Sequence, residues 1–225
     1  APRAALFVAT TEQHASLAAM QAELKATGTQ LSLLNKEQLA LVAPALKPDL
    51  FDQALLDVHG YDIDVNAMLQ GFLRGARQAG ARLLTGAVAT ETTRTGDAWR
   101  VTLSNGDVVQ ARTVVDAAGA WADEVAALFG AAPIGLEPRR RSAFTFSAPE
   151  GVDVSNWPMV ADVDEGWYIK VDAGQLLGSP ANADPVAPHD VQPEELDIAM
   201  GIHAIQEATT LEIRRPTATW AGLRS

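Results

Sequence analysis

Val114-Val115-Asp116-Ala117-Ala118-Gly119-Ala120-Trp121 is the stretch on which the reading of this chain turns. An apolar strand runs into three small residues. A helix follows, carried by the pattern from about Trp121 to Leu128 and stopped by Gly130. Small side chains at such a bend let a backbone N–H approach a phosphate closely, and a helix start favours negative charge. Tight strand-to-helix turns with no ligand use the same residues, so the pattern alone leaves both readings open. No G-x-G-x-x-G occurs in the chain, so the standard dinucleotide fingerprint is missing.

On the N-terminal side of the bend, the clearest helix begins after Asp62 or Asp64. It carries Val65, Met68, Leu69, Phe72, Ala76 and Ala79 on one face and stops at Gly80. Residues 81–85 and 88–93 read as strands, and the second turns at Gly96-Asp97 into the alternating Trp99, Val101 and Leu103. Asn105-Gly106 signals a hairpin whose return strand, from about Val108, leads to the bend. Earlier still, residues 6–9 form a short strand and Thr10 with Gln13 resembles a capping box. Leu17, Met20 and Leu24 then follow at helical spacing up to Gly28. Residues 31–34 are extended, and Asn35 opens a short helix that ends near Pro44.

After Pro133 alternating strands replace the strand–helix rhythm. Residues 141–146 form one strand. Residues 159–163, 167–171 and 175–177 form a meander with turns at Asp164-Glu165-Gly166 and Asp172-Ala173-Gly174. Residues 179–192, rich in Pro, Ala and Asp, read as a long loop. Pro193 at a first helical position, with Glu194 and Glu195 in the first turn, opens a last helix that buries Ile198, Ile202 and Ile205. The expected fold class is α/β plus α+β: an α/β part joined to a mostly antiparallel sheet made from the beginning and the end of the chain.

Three arginines, Arg139-Arg140-Arg141, enter the strand after Pro133. A solvated basic patch is the usual meaning of such a run. The strand period separates them, however. Phe144 and Phe146 share a face with Arg140 and Ser142, whereas Arg141 shares the opposite face with Ala143 and Thr145. An arginine among small residues leaves room for a ligand, and a guanidinium grips a carboxylate through two parallel hydrogen bonds. Tyr168 alternates against Trp167 and Ile169, and its hydroxyl needs a partner when buried, for which a substrate carboxylate is one option. Arg224 lies on the terminal strand, where an exposed strand-end charge is the plain alternative.

Composition narrows the classes. The chain has 225 residues, 48% apolar and 20% charged, enough for a hydrophobic core in one large domain or two small ones. A net charge of -11 repels phosphate backbones, which argues against nucleic acid and anionic membranes as partners. With no cysteine there is no disulfide, thiolate nucleophile or cysteine metal site, and a reducing cytoplasm is the expected location. His14, His59, His189 and His203 are scattered without ligand spacing, so no metal is expected. No G-x-S-x-G elbow appears, and Asp184, Asp190, Glu194 and Glu195 read as a solvated loop and helix start rather than paired acids. No apolar run of membrane-spanning length occurs, and no signal peptide is expected from the pattern of the first residues. The opening Ala1 and the strand-like last residues, 219–225, lead us to expect that both ends are cut from a longer protein.

Several strings together resemble a known family: Arg139-Arg140-Arg141-Ser142-Ala143-Phe144, Trp157-Pro158-Met159, Tyr168, and Leu177-Gly178-Ser179-Pro180-Ala181-Asn182-Ala183-Asp184-Pro185. Further strings are His189-Asp190-Val191-Gln192-Pro193-Glu194, Ile213-Arg214-Arg215-Pro216 and Trp220-Ala221-Gly222-Leu223-Arg224-Ser225. With the 115–121 bend they resemble the D-amino-acid oxidase and glycine oxidase group of FAD enzymes, most of all the bacterial D-arginine dehydrogenases, from Pro2 onward. The resemblance implies a parent enzyme, of which this chain would be the middle portion, that oxidises the Cα–N bond of an amino acid with hydride passing to the flavin. It implies that Ala117, Ala118, Gly119 and Trp121 lie near FAD and that Val88 touches its adenosine part. It implies that Arg141 and Arg224 hold the substrate carboxylate with help from Tyr168, and that Met159 lines the side-chain pocket. Residues 1–54 and 133–225 would then be the two parts of a substrate domain, and 55–132 a partial FAD-binding domain. The family's Gly-rich βαβ unit is not in this chain, so the fragment is expected to hold an incomplete FAD site and to be inactive by itself. The resemblance places Ala5 at the position where the D-arginine enzymes carry a glutamate for the substrate guanidinium, which implies a smaller or less polar amino acid. Another small amine or a 2-hydroxy acid as substrate, and a cofactor-free binding module, are the alternatives. The membrane association and electron acceptor are left open.

Overall fold

The computed structural model describes all 225 residues, and they divide into two compact units. Unit 1 comprises Ala1–Asp62, Arg140–Asp184 and Asp190–Gly222; unit 2 comprises Ile63–Arg139, Pro185–His189 and Leu223–Ser225. No helix is long and apolar enough to cross a membrane.

The chain opens with strand β1 (Ala5–Ala9), whose apolar run suits burial on both faces. A 3-10 turn at Thr11–Gln13 follows, in which the Gln13 side chain accepts the Thr10 N–H at 3.0 Å, as the capping pattern predicts. Helix α1 (His14–Ala26) runs to Gly28, whose φ of 85° is left-handed. After β2 (Ser32–Asn35), Asn35 caps α2 (Lys36–Val42): its side chain accepts from Gln38 N–H, and Gln38 reciprocates, both at 3.0 Å. Strand β3 (Gln53–Asp57) comes next; its short Ala54-Leu55-Leu56 run carries too little periodicity to be read from sequence.

In unit 2, Asp64 caps α3 (Val65–Gln78), its side chain accepting the Ala67 N–H at 2.8 Å. The apolar stripe read from the sequence is present but exposed: Phe72 is 74% exposed and Val65 66%. A three-stranded antiparallel sheet follows, β4 (Ala89–Thr95), β5 (Ala98–Leu103) and β6 (Val108–Ala111), with turns at Gly96 and Gly106. Helix α4 (Ala122–Leu128) packs on it. Trp99 meets Phe129 edge-on at 5.1 Å, and the Arg94 guanidinium stacks over Trp99 at 5.0 Å. Two sequence expectations fail here. Residues 81–85 and the apolar run before the bend, 114–116, form no strand, because a strand is completed by the ladder of a neighbour and neither segment is in one. Val115 is accordingly 82% exposed.

Back in unit 1 come β7 (Arg139–Phe146), β8 (Met159–Asp162), β9 (Tyr168–Asp172), β10 (Gln175–Ser179) and the two-residue β11 (Asp184–Pro185). Helix α5 (Glu195–Ala208) starts two residues later than Pro193 suggested, with Glu194 as its N-cap, and β12 (Ala218–Arg224) closes the chain. The large sheet has nine strands in the order β11-β7-β10-β9-β8-β1-β3-β2, with β12 also paired to β7. β1 runs parallel to β8, while β1 with β3, β2 with β3, β8 with β9 and β9 with β10 are antiparallel, as are β7 and β10.

The main core lies on one face of this sheet. Leu6, Val8, Phe144, Phe146, Ile169, Val171 and Leu176 point there and form one buried cluster with Ile198 and Ile205 of α5. Two glycines set the approach. A Cβ on Gly178 would lie 2.7 Å from Ile205 Cδ1 and 2.9 Å from the Phe144 ring, and one on Gly201 would lie 2.9 Å from Pro180 Cδ. Helix α1 covers part of the other face through Leu17, beside Ala9 and Leu55.

Candidate functional site

Strand register decides which side chains can meet. Residues directly paired across strands project to the same face, and the face alternates along each strand. Phe144 pairs with Gly178, Gly178 with Ile169, Ile169 with Val160; these belong to the core face. On the opposite face Thr145 pairs with Leu177, Ser179 with Tyr168, Tyr168 with Ala161, and Ala5 with Met159. Arg141, Met159, Tyr168 and Ala5 therefore all project from one face, away from the α5 core. All four are half-buried. This is the face the strand period assigned to Arg141.

The two neighbouring arginines have opposite fates. Arg140, on the core face, is surrounded by acids: Asp197 at 3.2 Å, Asp184 at 3.6 Å, and Glu194. Burial works against its charge, but Asp197 and Glu194 outweigh that and hold its pKa above the usual value. Asp184 and Glu194 stay exposed, as read from sequence, while also pairing with Arg140, and sequence reasoning missed Asp197 altogether. Its position in the first turn of α5 was the only available signal.

Arg141 meets mainly backbone. Its Nε donates to the Asn182 carbonyl at 3.1 Å and its Nη2 to the Ala181 carbonyl at 2.8 Å. The side chain is 20% exposed, and its carboxylate neighbour, Glu165, stands off at 3.7 Å with 68% of its own side chain exposed. Two neutral carbonyls orient the guanidinium without cancelling its charge. Such a group remains competent to bind an anion. The turn carrying Glu165 is fixed by Asp162, which accepts from Gly166 N–H at 3.0 Å and from Gln13 Nε2 at 2.8 Å.

The residues that the resemblance assigns to FAD lie in unit 2, as does Arg224, the exposed last residue of β12. Asp116 Oδ1 accepts the Ala118 N–H at 3.0 Å, tightening the bend, and a 3-10 turn at Gly119–Trp121 leads into α4. Gly119 has φ 57°, a left-handed backbone that favours glycine, with open space where a side chain would stand. Ala117 is exposed, Ala118 half-buried, Trp121 41% exposed and Val88 65% exposed. A bend with small, uncharged residues and open backbone, flanked by exposed apolar side chains, suits the close approach of a neutral ring system or a phosphate. These residues fit a flavin nucleotide on the side they supply.

Comparison with known proteins extends this. The chain is 26% identical over 209 residues to the hydrogen cyanide synthase subunit HcnC of Pseudomonas aeruginosa, covering 90% of this chain and 48% of that protein. Among solved structures it superposes on an L-alpha-glycerophosphate oxidase from Mycoplasma pneumoniae, solved with FAD bound. The TM-score is 0.88 at 20% identity, covering 99% of this chain and 61% of that one. It also superposes on a glycine oxidase from Geobacillus kaustophilus, with TM-score 0.78 and 20% identity over 100% of this chain and 59% of that one. An L-proline dehydrogenase from P. horikoshii gives TM-score 0.80 at 20% identity, covering 99% and 60%. The chain thus spans about half the length of the curated relative and about 60% of the solved ones. The family described as DAO, FAD dependent oxidoreductase, matches residues 2–225, and this chain belongs to it.

Proposed function

We propose that the protein carrying this chain oxidises the Cα–N bond of a small amino acid, with D-configuration favoured, and that this chain supplies most of the substrate-binding surface. The observation that carries the proposal is the face shared by Arg141, Met159, Tyr168 and Ala5. Family membership sets aside a cofactor-free module. The likeness of residues 139–185 to the D-arginine dehydrogenases supports the D-amino acid, and Ala5 beside Met159 supports a side chain smaller or less polar than arginine.

In this reading the Arg141 guanidinium binds the substrate carboxylate through the N–H groups not given to Ala181 and Asn182. The Tyr168 hydroxyl donates to the same carboxylate, and Met159 packs against the substrate side chain. Fixing the carboxylate fixes the Cα hydrogen in turn, which is how the protein contributes to a reaction whose chemistry belongs to the cofactor. FAD, when bound, supplies the hydride acceptor. Val88, Ala117, Ala118, Gly119 and Trp121 would hold part of it. Residues 1–54 and 133–225 would form the substrate side and 55–132 part of the FAD side, so the 225-residue chain alone would be inactive.

The test is made on the full-length protein. A panel of D- and L-amino acids, sarcosine and 2-hydroxy acids is offered under anaerobic conditions while the flavin absorbance is followed. Bleaching by small D-amino acids is expected. Arg141→Ala should weaken the productive substrate by about 2–5 kcal/mol, since it strips one side of a hydrogen-bonded charge pair. Bleaching by hydroxy acids alone, or an unchanged affinity in the variant, overturns the proposal.

A further inference from the structure

Arg141 is aimed by a loop, and the loop is itself fastened at one side chain. The backbone at Ala181 is left-handed, with φ 52°, although alanine disfavours that region by about 1–2 kcal/mol. Ala181 is nonetheless buried, 8% exposed, and its N–H donates to Ser179 Oγ at 3.0 Å. Ser179, fully buried, donates in turn to the Ser142 carbonyl at 2.7 Å. The consequence of the bend is that two successive carbonyls, of Ala181 and Asn182, face Nη2 and Nε of Arg141. A strained residue held in place by its surroundings points to a functional constraint.

The fastening is Asn182. Its Oδ1 accepts the Ser142 N–H at 2.9 Å, and its Nδ2 donates to Asp197 Oδ2 at 3.0 Å and to Asp184 Oδ2 at 2.8 Å. The same Asp197 oxygen accepts from Ser142 Oγ at 2.8 Å and from Arg140 Nε at 3.2 Å. Asp197 lies on α5, on the core side of the sheet, and its side chain is 11% exposed. One amide thus joins the core-face ion cluster to the loop whose carbonyls hold Arg141 on the other face. Nothing about a loop merely crossing the surface requires such a link.

We propose that Asn182 is the positioning residue of the carboxylate site. It acts through the Ala181 and Asn182 carbonyls to hold the Arg141 guanidinium so that its outer edge faces the substrate carboxylate. The inference rests on the reading of Arg141 given above and adds to it the group that orients it. Asn182 does not touch the substrate. With its side chain removed, the loop keeps its sequence and the strand keeps its arginine, but Nε loses a fixed acceptor and the guanidinium samples other rotamers.

The experiment uses the full-length holoenzyme and benzoate as the carboxylate probe. Asn182→Ala should raise the benzoate dissociation constant roughly tenfold, the loss expected for one well-placed hydrogen-bonded contact. KM for the amino acid should rise by a similar factor, and kcat should move less than KM. The Arg141 Nε–H resonance, assigned by its disappearance in Arg141→Lys, should exchange faster with solvent in Asn182→Ala. A benzoate constant and Nε–H exchange both unchanged in a folded Asn182→Ala protein would reduce Asn182 to a structural residue and overturn the proposal. If that variant does not fold, the unmodified protein decides: Nε–H must be protected from exchange both without and with benzoate, and rapid exchange in either state overturns it. An Arg141→Ala protein that binds benzoate unchanged would instead sink the carboxylate reading of Arg141 itself, a separate failure.

Discussion

Replacing Gly178 by alanine is the sharpest available perturbation of the packing that supports the site. Gly178 lies in β10 opposite Phe144, and an added methyl would sit 2.7 Å from Ile205 Cδ1 and 2.9 Å from Phe144 Cε2 and Cζ. Both neighbours are fully buried, at 0% exposure, so neither can swing into solvent to make room. Overpacking of this kind costs about 1–3 kcal/mol. Alanine regains about 0.5–1 kcal/mol of backbone entropy relative to glycine in a strand, leaving a net loss centred on about 1 kcal/mol. Urea unfolding followed by tryptophan fluorescence should show the midpoint fall with an unchanged slope. The cause can be isolated. Ile205→Val removes Cδ1, the nearest clashing atom, and by itself costs about 0.5–1.5 kcal/mol. Combined with Gly178→Ala it should cost less than the sum of the two, because the second change opens the space that the first one needs. A Gly178→Ala protein as stable as its parent, or strictly additive losses in the double variant, would refute the account of how α5 seats on the sheet.

Two further outcomes follow from the structure. Asp62 accepts from Arg3 Nε at 2.8 Å and faces Lys170 Nζ at 3.4 Å; burial raises its pKa, and these two cations more than offset that, leaving it below the ordinary carboxylate value. A lowered folded-state pKa stabilises the protein at pH values above the unfolded carboxylate value of about 4, and the stabilisation is lost as pH falls through the lowered value. Asp62→Asn should therefore remove on the order of 1 kcal/mol near neutrality and flatten the acid limb of a urea-midpoint profile, and an unaltered limb would show that the cluster does not contribute. On the 225-residue chain, Phe144→Ala should cost about 3–5 kcal/mol, because Phe144 is 0% exposed, whereas Phe72→Ser, at 74% exposed, should change stability by no more than about 0.5 kcal/mol. Equal losses in chemical unfolding would mean that the α3 stripe is covered within this chain.

The legible parts of the fold share one property: their signals are local. Thr10 with Gln13, and Asn35 before Lys36, marked element starts because capping hydrogen bonds span three residues. The alternation through residues 140–146 assigned Arg140 and Arg141 to opposite faces before any partner was known, because side chains in a strand alternate with a period of two. Residues 81–85 and 114–116 were misread for the complementary reason. Their composition suits a strand, but a strand exists only where a neighbour supplies hydrogen bonds, and no local pattern reports whether one is there. The short β3 escaped notice because three consecutive apolar residues fit a buried strand and a buried helix equally well.

For the candidate site the division runs through a single pair of residues. The amino-acid sequence by itself determined that Arg141 stands among small residues on a face apart from Phe144 and Phe146, because that follows from backbone geometry alone. Only the tertiary structure decided what Arg141 meets, the Ala181 and Asn182 carbonyls, and which residues share its face: Met159, Tyr168 and Ala5 reach that face through pairings between strands as far apart as β1 and β8. Likewise Asp197, from a helix 55 residues beyond Ser142, meets Ser142 and Asn182 only after the chain has closed on itself. Charge, capping and period are written within a few residues of one another; convergence depends on which distant segments share the free energy of a common core, and no local spacing encodes that choice.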